Sequence, residues 1–460
     1  MTTQNQTIRK ILIAPDKFKG SLTSLQAANA IKRGMEAAYL LPDNSCAGVD
    51  SQLGNNSGAV CALGGDAPHS GNISGGICAA EGNSSQSGNI SGGICSADGE
   101  NPMVQLQFQI VEIADGGDGS LDVVAGRVDS PQLVSVEVHD PLFREISSQI
   151  LLYRMSGVKN GSKICADEGV LCAFIEMAKI SGLAKLEKSE RNPLNTSTYG
   201  LGEAICIARQ MGARKITLSI GGSATDDCGA GMLQALGFEF FNCIGELMPV
   251  PICGKDLQEI ARIDLPDEPL GCRIEVICDV DNPLLGENGA TAVYAPQKGA
   301  TPQAMEMLEK GKANMAAVAE ECLHIFPQMK LLPGAGAAGG VGYAGTAFLG
   351  GKLLSGWRFF TEITSLEEKV QWADVVVTGE GSVDSQSLSG KIVGGIMELA
   401  RKWGKPVEIF CGISSLQELP QGVRCHSLAS IEPDLQVCMT QAAELLDKLA
   451  YSAANGYMPD

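Results

Sequence analysis

Acidic residues and glycines recur directly after the predicted strands of this 460-residue chain. Five such loops stand out: PDKFKGS at 15–21, ADGGDGS at 114–120, GGSATDDCG at 221–229, DVDNP at 279–283 and GEGSVD at 379–384. Glycine lets backbone N–H groups approach an anion closely, and a helix that begins there adds its positive end. A carboxylate beside a bound phosphate requires a cation between them, usually Mg²⁺. The loops therefore predict a site for Mg²⁺ and phosphate groups.

Each loop taken alone has a simpler interpretation. Asp and Gly are the commonest turn residues, so a single Asp-Gly pair is more often a turn than a site. Lys17 and Lys19 taken alone would most often be a solvated pair on the surface. Five such loops at strand ends are harder to explain as turns, and their recurrence therefore favours a functional site.

The elements that must position these loops alternate between strand and helix patterns. Apolar strands are predicted at 10–14, 106–113, 215–220, 273–278, 374–378 and 407–411. Residues 133–154 are predicted to form a β-hairpin, and a capping box of Thr23 and Gln26 opens the first helix. This alternation predicts an α/β fold with largely parallel sheets, in which ligands bind beyond the carboxyl ends of the strands.

Charge, apolar runs and cysteine spacing indicate which kinds of protein and ligand to expect. The formal net charge of −19 argues against a nucleic-acid partner, because such binders concentrate Lys and Arg. No apolar run is long enough to span a bilayer, and residues 1–10 do not resemble a signal peptide. The 16 cysteines contain no CxxC pair, which indicates reduced core residues. These features predict a cytoplasmic protein that acts on a small molecule.

One segment, at 46–101, breaks the alternation. It is dominated by Gly, Ser and Asn, and the string SGNISGGIC occurs twice in it, at 70–78 and at 87–95. Such a composition cannot bury enough apolar surface to offset the entropy lost on ordering. We therefore predict a disordered insertion between two structural elements.

Two nucleotide-binding fingerprints were considered. The chain has no GxxxxGK[ST] motif, so a Walker loop is excluded as the phosphate-binding element. A GxGxxG match occurs at 334–339, but the preceding 326–333 is a poor strand with two prolines. This match leaves open an alternative function, a nicotinamide-dependent oxidoreductase acting on a hydroxy acid.

Eight ordered motifs resemble the bacterial glycerate kinase family, the type that acts in glycerate, glucarate or glyoxylate metabolism. The motifs are APDKFKGSLTS at 14–24, ADGGDGS at 114–120, ERNPLNTSTYGLGE at 190–203, IGGSATDDCGAGM at 220–232, CDVDNPLLG at 278–286, APQKGA at 295–300, PGAGAAGGVGYA at 333–344 and VVTGEGSVDSQSLSGK at 376–391. The resemblance covers nearly the whole chain except 46–101 and the extreme ends.

The resemblance implies both a fold and an activity. Members of the family transfer the γ-phosphoryl group of ATP to a hydroxyl of D-glycerate, and they have two α/β domains. We therefore expect a Rossmann-like parallel sheet built from both chain ends, 1–127 and 291–460, and a flavodoxin-like middle domain at 128–290. The implied cofactors are ATP and Mg²⁺, the implied substrate is glycerate, and the 2-phosphate is favoured over the 3-phosphate as product.

The sequence departs from the family pattern at several positions. The family usually has Asn at Asp226, Gly at Cys228 and Arg at Ser382, and it often has Glu at Asp118 and Thr at Ser120. The change at Ser382 removes a candidate phosphate-binding cation, and Asp226 adds a negative charge beside its acidic neighbour.

The loops and the resemblance together give candidate residues, with roles assigned by chemistry and loop position. Phosphoryl transfer needs a metal ion, a cation near the phosphates and a carboxylate that orients or deprotonates the hydroxyl. The candidates for catalysis are Asp227, then Asp115, and Lys19. Those for substrate binding are Asp16, Lys17, Arg191 and Ser223. Those for nucleotide binding are Gly221, Gly222, Gly334, Gly336, Gly379, Gly381 and Lys391, and those for Mg²⁺ are Asp384 and Glu380.

Several alternatives stay open at this level. The carboxylates could exchange roles, and Arg191 fits a structural cap or an ion pair between domains about as well as a carboxylate clamp. The chain could also be an inactive, anion-binding regulator on the kinase scaffold. The sequence does not decide between the 2- and the 3-phosphate product, nor between a monomer and a homo-oligomer.

Overall fold

The structure is a computed structural model that describes residues 7–18, 20–40, 104–154, 169–385, 387–388 and 392–455. The predicted insertion at 46–101, with both copies of its repeat, lies outside the described residues. Two candidate site residues, Lys19 and Lys391, lie outside them as well. Among the described helices, none is long and apolar enough to cross a membrane.

Strands and helices alternate along most of the described chain. The strands are β1 Thr7–Ile13, β2 Val104–Ile110, β3 Gln132–His139, β4 Glu145–Arg154, β5 Leu171–Glu176, β6 Lys215–Ser219, β7 Glu239–Phe241, β8 Arg262–Asp264, β9 Arg273–Ile277, β10 Lys352–Leu354, β11 Val375–Val383, β12 Val407–Ser414 and β13 Val423–Ser427. The helices are α1 Ser24–Leu40, α2 Ser120–Ala125, α3 Ala178–Ser181, α4 Tyr199–Gln210, α5 Ala230–Ala235, α6 Ala290–Tyr294, α7 Pro302–Leu323, α8 Val341–Ala347, α9 Gly356–Ile363, α10 Leu366–Trp372, α11 Ile392–Lys402, α12 Leu435–Thr440 and α13 Ala442–Asn455.

The first sheet is built from both ends of the chain. Its five strands are all parallel and lie in the order β13-β12-β11-β1-β2. The pairing of β1 with β11, in which Ile11 lies opposite Val375, joins residues more than 360 positions apart. The prediction of a parallel sheet formed by the two chain ends is confirmed.

The second sheet is mixed and has six strands in the order β10-β9-β6-β5-β4-β3. The strands from β10 to β5 are parallel, whereas β4 and β3 form an antiparallel hairpin at one edge. This hairpin is the one that the sequence predicted at 133–154. A small two-stranded sheet of β7 and β8 completes the β structure of the described residues.

Helices cover both sheets, and one layer of helices is shared between them. Side chains alternate across a strand, so Ile11 and Ile13 of β1 pack with α1 and α13, whereas Leu12 faces the inner layer. That inner layer contains α2, α9, α10 and α11, and it also contacts Phe174 and Ile277 of the six-stranded sheet. Helices α4, α5, α7 and α8 cover the far face of that sheet. The two sheets are therefore packed on a common core.

The predicted domain boundaries can be compared with this packing. The middle sheet begins at β3, close to the expected change-over near 128. The second change-over was expected near 291, but α7 and α8 contribute to the core on the far face of the six-stranded sheet, and β10 is an edge strand of that sheet. We propose that the chain returns to the first unit after Leu354 rather than near 291.

A buried ion pair anchors the glycine-rich loop that follows β6. Lys312 of α7 is fully buried, and its Nζ lies 2.5 Å from Oδ1 of Asp226. Lys298, also buried, donates from its Nζ to the carbonyl oxygen of Thr225 at 2.7 Å. Burial lowers the pKa of Lys298 to about 8, although the charge of Asp226 raises it. Lys312 thus neutralises the negative charge that Asp226 adds relative to the family pattern. The ion pair holds the loop after β6 against α7.

We expect Lys312→Met to lower the free energy of unfolding by about 3–5 kcal/mol, because it leaves a buried carboxylate without its cation. The double variant Asp226→Asn, Lys312→Met should recover most of that loss, since both charges are then gone. Urea unfolding gives both values.

Lys310→Met in the same helix is the matched control. Lys310 pairs with Glu306 at 2.6 Å on the surface, where both side chains are more than 60% exposed. Such a pair contributes about 0–1 kcal/mol. A Lys312 variant no less stable than the Lys310 variant would contradict the anchoring role.

Candidate active site

The carboxyl ends of the two sheets meet at a contact between glycines. The N–H of Gly221, after β6, donates to the carbonyl oxygen of Gly116, after β2, at 2.9 Å. A Cβ placed on Gly221 would lie only 2.8 Å from the Cα of Gly117. Any larger residue would push the loops apart, so the approach requires glycine. Two loops that are 100 residues apart in sequence thus form one seam between the sheets.

Three carboxylates of the first sheet gather on one side of this seam. Asp16 follows β1, Asp115 follows β2, and Glu380 lies in β11. Burial raises the pKa of Asp16 to about 6, with further contributions from the negative charges of Asp115 and Glu380. The N–H of Asp16 donates to the carbonyl oxygen of Gly379 at 2.7 Å, which fixes this loop against β11. The three carboxylates therefore lie close enough to influence one another's charge.

The side chain of Lys17 places a positive charge beside these carboxylates. Its Nζ donates to the carbonyl oxygen of Asp118 at 3.2 Å, so the side chain crosses from the loop after β1 to the loop after β2. A Cβ on Gly117 would lie 3.8 Å from the same Nζ. The sequence assigned Lys17 to the substrate, and the structure places it beside the carboxylate cluster.

The loop at 221–225 forms the wall on the side of the second sheet. Gly222 has a left-handed backbone with φ of 73°, and a Cβ there would lie 3.8 Å from the carboxylate of Asp118. Ser223 is buried and forms a β-bridge with Gly182, and the N–H of Ala224 donates to Ser181. Gly221 and Gly222 thus line the seam, while Ser223 is held against the second unit.

Asp227 lies apart from the cluster, inside the protein. It is fully buried, and its Oδ2 accepts hydrogen bonds from the N–H and the hydroxyl of Thr198, both at 2.7 Å. The N–H groups of Gly231 and Gly229 also donate to it, at 3.2 and 3.3 Å. Burial raises the pKa of Asp227, and these hydrogen bonds lower it. Both oxygens of Asp227 therefore accept hydrogen bonds from within the protein, and its catalytic role stays a prediction.

Arg191 is not connected to the cluster by any contact that the described residues show. Its Nε is buried without a hydrogen-bond partner in the described structure. Gly299, in the left-handed region with φ of 93°, packs directly on the carbonyl oxygen of Arg191. The role of Arg191 as a carboxylate clamp stays a prediction.

The glycines at 334 and 336 support the loop after β9. A Cβ on Gly334 would lie 2.8 Å from the Sγ of Cys278, and one on Gly336 would overlap the carbonyl oxygen of Pro283. The segment before them is a 3₁₀ turn, Pro327–Leu331, and not a strand. The GxGxxG match therefore lacks the strand that a dinucleotide-binding loop requires, which removes the main support for the oxidoreductase alternative.

Strand β11 continues past the end that the sequence predicted. The apolar pattern predicted an end at residue 378, but the strand runs to Val383 and pairs with β12 over this length. Gly379 and Gly381 are therefore strand residues, and a Cβ on Gly379 would overlap the carbonyl oxygen of Phe410. The Oδ1 of Asp384, just beyond, accepts from the N–H of Ser387 at 2.9 Å.

The sequence analysis assigned no role to two carboxylates at the ends of the second sheet. Asp279 follows β9 and accepts from the N–H of Trp357 at 2.8 Å and from the hydroxyl of Ser355 at 3.1 Å. Burial raises its pKa, and the charge of Asp115 adds to that effect. Glu176, the last residue of β5, accepts from two backbone N–H groups of the loop after β2. Asp279 lies in the predicted DVDNP loop, whereas the only signal for Glu176 was its position at the end of a strand.

The carboxylates of the cluster offer oxygen ligands of the kind that a divalent cation prefers. Among the described residues, no group of three or more His, Cys, Asp or Glu side chains is close enough to hold a metal ion alone. Mg²⁺ usually takes one or two carboxylates, with the remaining ligands from water and substrate phosphates. The grouping of Asp16 with Asp115 and Glu380 fits a cation that arrives with a nucleotide.

Comparisons with known proteins identify the family of this sequence. The family model described as the glycerate kinase family matches residues 11–50 and 91–458, which leaves out much of the predicted insertion. A glycerate kinase of Halalkalibacterium halodurans is 33% identical over 96% of this chain and 97% of its own length. The glycerate 2-kinase of Escherichia coli is 38% identical over 65% of this chain and 75% of its own length.

A solved structure gives the same result for the fold. A protein from Salmonella typhimurium LT2, assigned as glycerate kinase 2, is 31% identical, and the match covers 98% of each chain. The TM-score of 0.65 shows that the two share their topology. The family model and the full-length relative lead to one conclusion. This chain belongs to the glycerate kinase family.

Proposed function

We propose that the protein is an ATP-dependent kinase that phosphorylates the 2-hydroxyl of D-glycerate. The observation that carries this proposal is the seam, where carboxylates, a lysine and glycine loops from both sheets come together. The names of the relatives support the substrate, and the glycerate 2-kinase of Escherichia coli supports the 2-phosphate. A cytoplasmic location and the oligomeric state stay predictions.

Asp115 is our choice for the residue that orients and deprotonates the attacking hydroxyl. It lies at the seam with an exposed side chain, and its Oδ1 is held by the N–H of Gly117 at 3.0 Å. A carboxylate in this role accepts the hydroxyl proton, as in other phosphoryl-transfer enzymes. Asp227, the first candidate from the sequence, is reassigned to holding Thr198 and the start of α5.

Asp16 and Glu380 are proposed to hold the cation. Asp16 lies close enough to Asp115 and Glu380 to feel both charges, and its pKa is raised by burial first and by these two carboxylates second. When bound, Mg²⁺ would neutralise charge on the phosphates during transfer. Lys17 would neutralise phosphate from the other side of the seam. Asp384, whose carboxylate accepts from Ser387, is left out of this set. Lys19 and Lys391 stay predicted phosphate-binding residues.

Incubation with ATP, Mg²⁺ and D-glycerate should give 2-phosphoglycerate and ADP, and chelation of the metal should abolish turnover. Phosphorus NMR identifies the product directly. Formation of 3-phosphoglycerate would overturn the regiochemistry alone. Absence of any phosphorylated glycerate, at normal ATP binding, would overturn the proposed activity and favour the inactive regulator.

Asp115→Asn should lower kcat by about 10²–10⁴-fold with little change in the melting temperature, because it removes a proton acceptor at an exposed position. Asp227→Asn should instead lower the free energy of unfolding by about 1–3 kcal/mol, since an amide nitrogen would face the N–H donors. Steady-state kinetics and thermal unfolding of both variants separate the roles. A large loss of kcat in Asp227→Asn, with a loss of stability alone in Asp115→Asn, would indicate that Asp227 is the catalytic carboxylate.

Asp16→Asn should raise the Mg²⁺ concentration needed for half-maximal rate by about tenfold or more, because a charged oxygen ligand is lost. Asp122→Asn, which changes a carboxylate on the exposed face of α2, is the matched control and should leave that concentration unchanged. Titration of the rate with Mg²⁺ at saturating ATP gives the comparison. Equal metal requirements in the two variants would exclude Asp16 as a ligand.

A further inference from the structure

We propose that Glu176 is a positioning residue that holds the loop carrying Asp115 in place from the opposite sheet. This inference rests on the proposed function, since it concerns the geometry of that reaction. Glu176 ends β5 of the six-stranded sheet, whereas the loop at 115–119 follows β2 of the five-stranded sheet. The residue thus acts across the seam.

The contacts of Glu176 are directed only at the backbone of that loop and of α2. Its Oε1 accepts from the N–H of Gly119 at 3.1 Å, and its Oε2 accepts from the N–H of Leu121 at 2.8 Å. The side chain is 1% exposed. Both carboxylate oxygens are therefore committed to fixing the far end of the loop.

Burial of the Glu176 carboxylate is energetically unfavourable unless polar partners compensate for the lost hydration. The five other residues of β5, LCAFI, are apolar, and a buried charge without a partner is strongly unfavourable. Among the described residues no cation lies at ion-pair distance from Glu176, and the charge of Lys179, which pairs with Asp122 at 3.5 Å, acts on it only from farther away. The two backbone N–H groups are the partners that the structure shows, so the charge serves the loop.

A short chain of hydrogen bonds connects Glu176 to the catalytic carboxylate. The hydroxyl of Ser120, between the two residues that Glu176 holds, donates to the carbonyl oxygen of Gly117 at 2.6 Å. The N–H of Gly117 in turn donates to Oδ1 of Asp115 at 3.0 Å. Release of the far end of the loop would therefore change the position of Asp115.

The alternative is a role in stability alone, and a matched variant distinguishes the two. Glu408, near the start of β12, is equally buried, at 1% exposed. Its carboxylate pairs with Arg424 and His426 of β13. Glu408→Gln therefore reports the effect of neutralising a buried glutamate outside the proposed site.

The experiment compares Glu176→Gln, Glu408→Gln and the unchanged protein. In Glu176→Gln one of the two backbone N–H groups faces an amide nitrogen and loses its hydrogen bond. Because Asp115 would then be displaced, we expect kcat for glycerate to fall about 10- to 100-fold. The KM for ATP should stay within about twofold. Amide hydrogen exchange of the 115–121 segment should become faster in this variant and stay unchanged in Glu408→Gln.

Each outcome bears on the proposal. A Glu176→Gln variant with unchanged exchange at 115–121 would overturn it, whatever the activity of the protein. Loss of kcat no larger than in Glu408→Gln would overturn it as well. If the unchanged protein does not phosphorylate glycerate, the proposed function fails, and the exchange measurement still shows whether Glu176 holds the loop.

Discussion

The hydrogen bond between Gly221 and Gly116 is the contact on which the candidate site depends. It joins the loop after β6 in one sheet to the loop after β2 in the other, at a separation that excludes a Cβ at Gly221. Because parallel strands end at the same edge of a sheet, each sheet brings its functional loops to this contact. The carboxylates, the lysine and the glycines thus belong to one site because the two edges touch.

The packing around this contact keeps the two edges together. Helices α2 and α9 lie in the layer shared by both sheets, and carboxylates of the six-stranded sheet bind the backbone at the start of each helix. Glu176 acts at α2 and Asp279 acts at α9. On the far side, the ion pair of Asp226 with Lys312 ties the loop after β6 to α7. Polar contacts at strand ends therefore set the geometry, while apolar layers supply the bulk of the core.

Much of this arrangement follows from the sequence, because strand ends are readable from apolar runs. The position of Asp115 shortly after β2 was predicted from an apolar run, whereas the sheet built from both chain ends was implied by the family resemblance. The direction of a side chain was not predictable: Asp227 sits in an equally acidic glycine loop but turns inward to Thr198. Glu176 was missed because a single glutamate after an apolar strand has no motif, and only its distant partners reveal its role.

The structure of the protein with Mg²⁺, a non-hydrolysable ATP analogue and D-glycerate tests the central claim most directly. The two sheet edges should enclose the ligands, with the terminal phosphate near Lys17, the cation beside Asp16 and the 2-hydroxyl of glycerate next to Asp115. A nucleotide bound at the amino ends of the strands, or glycerate remote from Asp115, would contradict the account.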